Sequence, residues 1–258
     1  REEKAPVTPT LPLPKSTGFW SRLVRGRRTV HCSADWPAFA GPGWESRVMS
    51  ESVPDREHVK QGRRIGRWTL TSDTGTSLVA FLKRHYVLPR WHGLLATLFP
   101  NRAWSPGLQE WQHLAWAESQ GIPVPRTLAV AEFVGPWGKL QGFLATEELH
   151  DMLPLHEAIP RAFERLPPED FARWKRGLIA EIARLSRELH RRSAYHKDLY
   201  LCHFYVANAE CGMRNAELVA NSECGVRSAE SKTSSIPHSA FRIPHSTKLV
   251  MIDFHRLG

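Results

Sequence analysis

From about Glu169 to Arg192 the apolar residues Phe171, Trp174, Leu178, Ile179, Ile182, Leu185 and Leu189 recur along one helix face. This spacing predicts a long amphipathic helix that is stable only with that face buried. Directly after it comes Tyr195-His196-Lys197-Asp198-Leu199-Tyr200-Leu201-Cys202-His203-Phe204, a loop rich in groups that carry chemistry. Further along, Leu249-Val250-Met251-Ile252-Asp253-Phe254-His255-Arg256 reads as an apolar strand ending in a carboxylate. A rigid helix, a polar loop and a strand-end aspartate therefore organise the second half of the chain.

The first half reads differently. Gly66 to Thr71 and Ser77 to Val87 are strand-like and joined by the turn Ser72-Asp73-Thr74-Gly75, which predicts an antiparallel hairpin. Ser105-Pro106 gives a helix N-cap with proline at the first helical position. Leu108, Trp111, Leu114 and Ala115 share a face, and Gly121 and Pro123 close the helix. Thr127 to Phe133 and Leu140 to Thr146 follow as two more strands. The order strand, strand, helix, strand, strand leads up to Glu148, and an α+β chain follows from it.

Charge narrows the partners. The 35 Lys and Arg against 26 Asp and Glu leave a net charge of +9, which favours anionic ligands such as phosphorylated molecules, nucleic acid or an acidic membrane surface. The longest apolar stretch, Leu94 to Phe99, lies between Gly93 and Pro100, too short for a membrane span or a secretory core. Cys32, Cys202, Cys211 and Cys224 show no CxxC spacing, so a disulfide framework is not expected and a reducing cytosol is. No aromatic-plus-basic RNA-binding signature is present, so nucleic acid is not the expected partner.

A long helix, then His-Lys-Asp-Leu, then an apolar strand ending in Ile-Asp-Phe resembles the catalytic half of the protein-kinase-like fold. The fuller string His-Lys-Asp-Leu-Tyr-Leu-Cys-His-Phe, paired with Ile-Asp-Phe-His-Arg, is similar to the lipopolysaccharide core kinase (Kdo/WaaP) family of bacterial sugar kinases. The resemblance covers roughly residues 57 to 207 and 248 to 256. It implies a two-lobed fold, with an antiparallel sheet plus helix in the N-terminal lobe and a mostly helical C-terminal lobe. It also implies ATP and Mg2+ as cofactors, a heptose or Kdo hydroxyl of the lipopolysaccharide core as acceptor, and a cytoplasmic location, with peripheral contact at the inner membrane as a further expectation.

The same resemblance assigns roles. Asp198 would accept or orient the acceptor hydroxyl proton. Asp253 would hold the metal, with His203 standing where the kinase motif places a second, asparagine metal ligand. Lys83, in Leu78-Val79-Ala80-Phe81-Leu82-Lys83, would contact the nucleotide phosphates, with Glu110 as its ion-pair partner. Gly62-Arg63-Arg64-Ile65-Gly66 resembles a degenerate phosphate-covering loop, and Glu147-Glu148-Leu149 falls where an interlobe hinge would lie. Phe81 replaces the small residue that kinases carry over the adenine.

Each residue also has a plain structural reading. A lone aspartate at a strand end or turn is usually a cap, a lone lysine on a strand is usually solvated, and Glu110 alone is an ordinary helix residue. His196 is expected to be structural and His255 a surface residue. Trp104, Trp111 and Trp116 are expected in packing. A non-catalytic kinase-like module that binds nucleotide or a partner is the alternative function.

Three segments fit neither half. Residues 1 to 18, with Pro6, Pro9, Pro12 and Pro14, read as an extended arm. Within the first lobe, taken as residues 19 to 148, the stretch 19 to 60 has no clear period and carries the basic cluster Arg22, Arg25, Arg27 and Arg28, whose alternative to a solvated face is lipid phosphate. Within the second, residues 149 to 258, the stretch 208 to 247 contains short polar repeats and reads as an inserted loop. A zinc site of Cys211, Cys224, His238 and His245 is its sharper alternative. With so little chain after Asp253, the second lobe is expected to be incomplete.

Overall fold

The computed structural model describes residues 18–50, 62–211 and 248–254. The chain divides into two units, one taking in the residues up to Gly121 together with Pro125–Glu148, the other Ile122–Val124 and the residues from Leu149 onward.

The first unit begins with α1 (Phe19–Arg25), β1 (Arg27–Cys32), α2 (Trp36–Ala40) and α3 (Trp44–Ser50). Then come β2 (Arg63–Thr71), β3 (Ser77–His85), α4 (Arg90–Leu98), α5 (Pro106–Ser119), β4 (Thr127–Val134) and β5 (Leu140–Glu147). The expected hairpin is β2–β3, in register from Arg63↔His85 to Thr71↔Ser77. The five strands lie antiparallel in the order β1-β4-β5-β3-β2.

The aperiodic stretch from residue 19 thus supplies both an edge strand and much of the core. Trp36 and Trp44 meet edge to face at 5.8 Å, and Trp36 also meets Trp68 at 5.9 Å. They are buried with Val48, Leu78, Ala80 and Leu82 on one face of the sheet. Because side chains alternate along a strand, Phe81 and Lys83 point to the opposite face. There α5 packs against β3, β4 and β5. Its start is drawn close by Gly107, where a Cβ would stand 3.0 Å from the Phe143 carbonyl carbon.

Helix α4 is seated on the turn Pro136–Gly138 through another close approach. A Cβ on Gly93 would run into the Gly138 carbonyl oxygen. Gly93→Ala should therefore cost about 1–3 kcal/mol through forced displacement. Urea denaturation checks this, and an unchanged midpoint would mean that α4 lifts off the turn without cost.

The second unit contains β6 (Met152–Pro154), α6 (Leu155–Arg165), α7 (Pro168–His190), β7 (Phe204–Ala207) and β8 (Leu249–Met251). The long amphipathic period is α7, which buries Trp174, Leu178, Leu185 and Leu189. The three strands form a small antiparallel sheet, β6-β7-β8. No helix among the described residues is long and apolar enough to cross a membrane.

Two sequence expectations need correction. Arg63–Gly66 is not a loop: it opens β2, with Gly66 paired to Leu82 and Ile65 to Lys83. Gly62 alone precedes it, at φ +75°. The inserted stretch also does not begin as a loop at 208. Residues Asn208–Cys211 form a 3-10 turn with Asn208, Glu210 and Cys211 buried. The rest of that stretch, the Pro-rich arm up to residue 17 and His255 lie outside the described residues.

Candidate active site

Two groups of candidate residues are brought together, one within each unit. In the first, Lys83 Nζ lies 2.6 Å from Glu110 Oε1, with side chains 16% and 4% exposed. Sequestering a lysine this far is favourable only with such a partner, since desolvation otherwise drives off its proton. Lys83 is positioned by β3, held between β2 and β5. Glu110 is positioned by α5, whose Ser105 N-cap accepts a hydrogen bond from the Leu108 amide at 3.3 Å.

Sequence reasoning missed the residue that locks α5 in place. The fully buried Glu132 on β4 accepts from the Trp104 and Ser105 amides at 2.8 and 2.6 Å and pairs with Arg27 on β1 at 2.8 Å. Burial pushes the Arg27 pKa down while Glu132 opposes that shift. A charged residue inside the apolar run Thr127 to Val134 was the available signal.

Phe81 is partly exposed on the face that carries Lys83. Ile65 of β2 stands opposite Lys83, so the stretch from Arg63 to Gly66 flanks the lysine as strand. Glu148 accepts a two-pronged hydrogen bond from Arg67 at 2.7 and 2.8 Å, and Glu147 pairs with Arg126 at 3.3 Å. Trp104 packs beside Ala96, Val134 and Leu140, and Trp111 stacks on His31 at 4.4 Å.

In the second unit the loop after α7 is stitched to the end of β8. His203 Nδ1 lies 2.6 Å from the Asp198 carbonyl oxygen, and its backbone oxygen accepts from the Ile252 amide at 3.0 Å. A carbonyl can only accept, so Nδ1 carries the proton and donates it. That leaves His203 Nε2 directed at Asp253, 3.4 Å from Oδ2. Buried His196 donates through Nε2 to the Ile252 carbonyl at 3.1 Å and packs edge to face on buried Phe254 at 5.2 Å. Burial depresses the His196 pKa, so it serves as a neutral strut.

Asp253 itself has φ +65°, in the left-handed region. Aspartate visits this region more readily than most residues, but the conformation is still uncommon and is often kept at working sites. The two backbone hydrogen bonds of Ile252 before it and the buried Phe254 after it anchor the chain on either side of Asp253.

The donors suit a metal that arrives with a ligand. Among the described residues no three His, Cys, Asp or Glu side chains cluster as a metal cage. Mg2+ is commonly held by only one or two carboxylates, with substrate oxygens completing the shell. Asp253 fits as a hard ligand, whereas an imidazole is a poorer one for this ion. The zinc alternative has one described member, Cys211. Burial pushes the Cys211 thiol up to about 12, and its S–H faces the Ala207 carbonyl at 3.8 Å, while Cys224, His238 and His245 lie outside the described residues.

Comparison with known proteins decides the relationship. The model of the lipopolysaccharide kinase (Kdo/WaaP) family matches residues 60–234, more than half of the chain. The chain belongs to this family. The lipopolysaccharide core heptose(I) kinase WaaP of Pseudomonas aeruginosa is 32% identical over 96 residues, a match that spans 37% of this chain and 35% of that relative. A solved structure described as WaaP in complex with acyl carrier protein aligns with a TM-score of 0.55 at 22% identity, covering 89% of this chain and 72% of the other. The fold is accordingly kinase-like, as the Kdo/WaaP resemblance implied.

Proposed function

We propose that the protein transfers the γ-phosphate of ATP to a hydroxyl of a heptose or Kdo sugar in the lipopolysaccharide core. The observation that carries this reading is the sequestered Lys83–Glu110 ion pair within a Kdo/WaaP family chain. Phosphoryl transfer asks a protein mainly for positioning and charge neutralisation. Lys83 binds the phosphates, and Glu110 keeps its ammonium charged and aimed. Asp198 orients the sugar hydroxyl and accepts its proton. Asp253 would hold Mg2+, which when bound would neutralise charge on the phosphates. His203 links the Asp198 backbone to the Asp253 side chain, so the base and the metal ligand keep a fixed relation. ATP as donor assigns the reaction to the cytoplasmic side.

The reading is tested with radiolabelled ATP and dephosphorylated core oligosaccharide. Label should enter a sugar hydroxyl; tight binding of ATP without transfer to heptose or Kdo acceptors would favour the non-catalytic module. Asp253→Asn provides a second check. Calorimetry should show that Mg2+ no longer strengthens ATP binding, a loss on the order of tenfold or more, since even outer-shell changes at metal sites cost that much. Unaltered Mg2+ dependence would remove Asp253 from the metal site.

A further inference from the structure

Helix α4 is built inside out for a helix of a water-soluble domain. Its inward residues are the small Gly93, Ala96 and Thr97, while Trp91, Leu94 and Leu98 face outward, 59%, 45% and 51% exposed. Beside it α1 buries Leu23 and exposes Trp20 and Val24. Between β4 and β5 the turn Pro136–Gly138 exposes Trp137. These three elements touch one another: α1 is tied to α4 by the Arg22 Nε bond to the Thr97 carbonyl at 3.0 Å, and α4 to the turn through Gly93 and Gly138.

One residue of this face is held under backbone strain. Trp137 has φ +55° and ψ +35°, an outlier conformation for a bulky side chain, yet its ring packs outward and is 66% exposed. Such strain is retained where the surrounding structure over-determines it, often for a functional reason. Scattered exposed apolar residues need no explanation, but a contiguous patch with several indoles does.

Charge identifies the occupant. Residues 18–34, 86–109 and 133–146, which build and border this face, contain no Asp or Glu. Arg25, Arg90, Arg102 and Lys139 are exposed within the same segments. Indole rings settle at the boundary between headgroups and acyl chains, and basic residues around them meet anionic headgroups.

We propose that the face formed by α1, α4 and the Pro136–Gly138 turn docks on an anionic lipid bilayer. The indoles enter the headgroup layer, the arginines pair with lipid phosphates, and neither short helix spans the membrane. None of the residues of this surface is among those assigned to phosphoryl transfer, and docking does not depend on that reaction.

Vesicle co-flotation of the whole protein without nucleotide tests it. Vesicles of equal parts phosphatidylcholine and phosphatidylglycerol should capture the protein, with capture falling as salt rises and on the order of tenfold weaker on phosphatidylcholine alone. Trp91→Ser combined with Trp137→Gly, and separately Arg25→Glu combined with Arg90→Glu, should each weaken capture by a similar factor without lowering the melting temperature. Should a variant misfold, brominated lipid must still quench the tryptophan fluorescence of the wild-type protein. No capture of the folded protein, undiminished capture of the folded variants, or absence of quenching would each overturn the proposal. So would binding of an acidic acyl carrier protein through these residues with vesicles ignored.

Discussion

Asp198→Asn should lower turnover by on the order of a hundredfold or more while leaving binding of ATP and Mg2+ in place. The substitution preserves shape and removes only the charge that we propose receives the hydroxyl proton. It also spares the link that holds the loop together, because His203 donates to the backbone carbonyl of residue 198 and not to its side chain. The loss should therefore fall on kcat and not on the affinity for nucleotide, as single-turnover kinetics beside calorimetry would reveal. Wild-type rates in an active preparation of the variant would defeat the kinase reading of this loop. A folded variant with normal turnover but altered thermal stability would make Asp198 a structural cap.

Glu132→Ala should cost about 3–5 kcal/mol of stability, the range for removing one partner of a buried charge pair. The carboxylate serves three donors at once, namely the Arg27 guanidinium and the amides of Trp104 and Ser105. Its removal leaves an arginine poorly compensated and two amides at the start of α5 without their acceptor. Thermal unfolding should register the loss directly. A second readout separates support of the site from bulk stability: below the melting transition, ATP affinity should also fall, because α5 carries Glu110 to Lys83. Glu132→Gln, which keeps an acceptor, should recover much of that affinity. Retained stability in the alanine variant would show that α5 is anchored chiefly by Gly107 and its apolar face.

These two residues illustrate what could be read from the chain. Asp198 lies in a loop whose local string is informative, and α7 before it announces itself by periodicity. The β2–β3 hairpin, α5 and the β4 and β5 strands were legible for the same reason, since each pattern is local. What escaped was non-local. Strand β1 contains Arg27, Arg28 and His31 and shows no clean alternation, because it is an edge strand whose burial comes from β4 and α5. Helices α4 and α6 were missed on other grounds: α4 turns its apolar residues outward, and α6 contains Pro160 in its interior. Lys83 and Glu110 were legible only through resemblance, since nothing local distinguishes a sequestered strand lysine from a solvated one. The structure places them in contact.

The pairing of β1 with β4 has a consequence for how the protein is made. The two partners are separated by about a hundred residues, so at a synthesis rate of roughly 5–20 residues per second β1 leaves the ribosome about 5–20 s before its mate exists. During that interval a strand with a bare backbone edge is exposed to any other extended chain nearby. Its two arginines, Arg27 and Arg28, supply like-charge repulsion against a second nascent copy, and Arg27 changes occupation once Glu132 arrives. One guanidinium is thus a bare charge on the growing chain and, once β4 is made, the ion-pair partner that ties the edge strand to its neighbour.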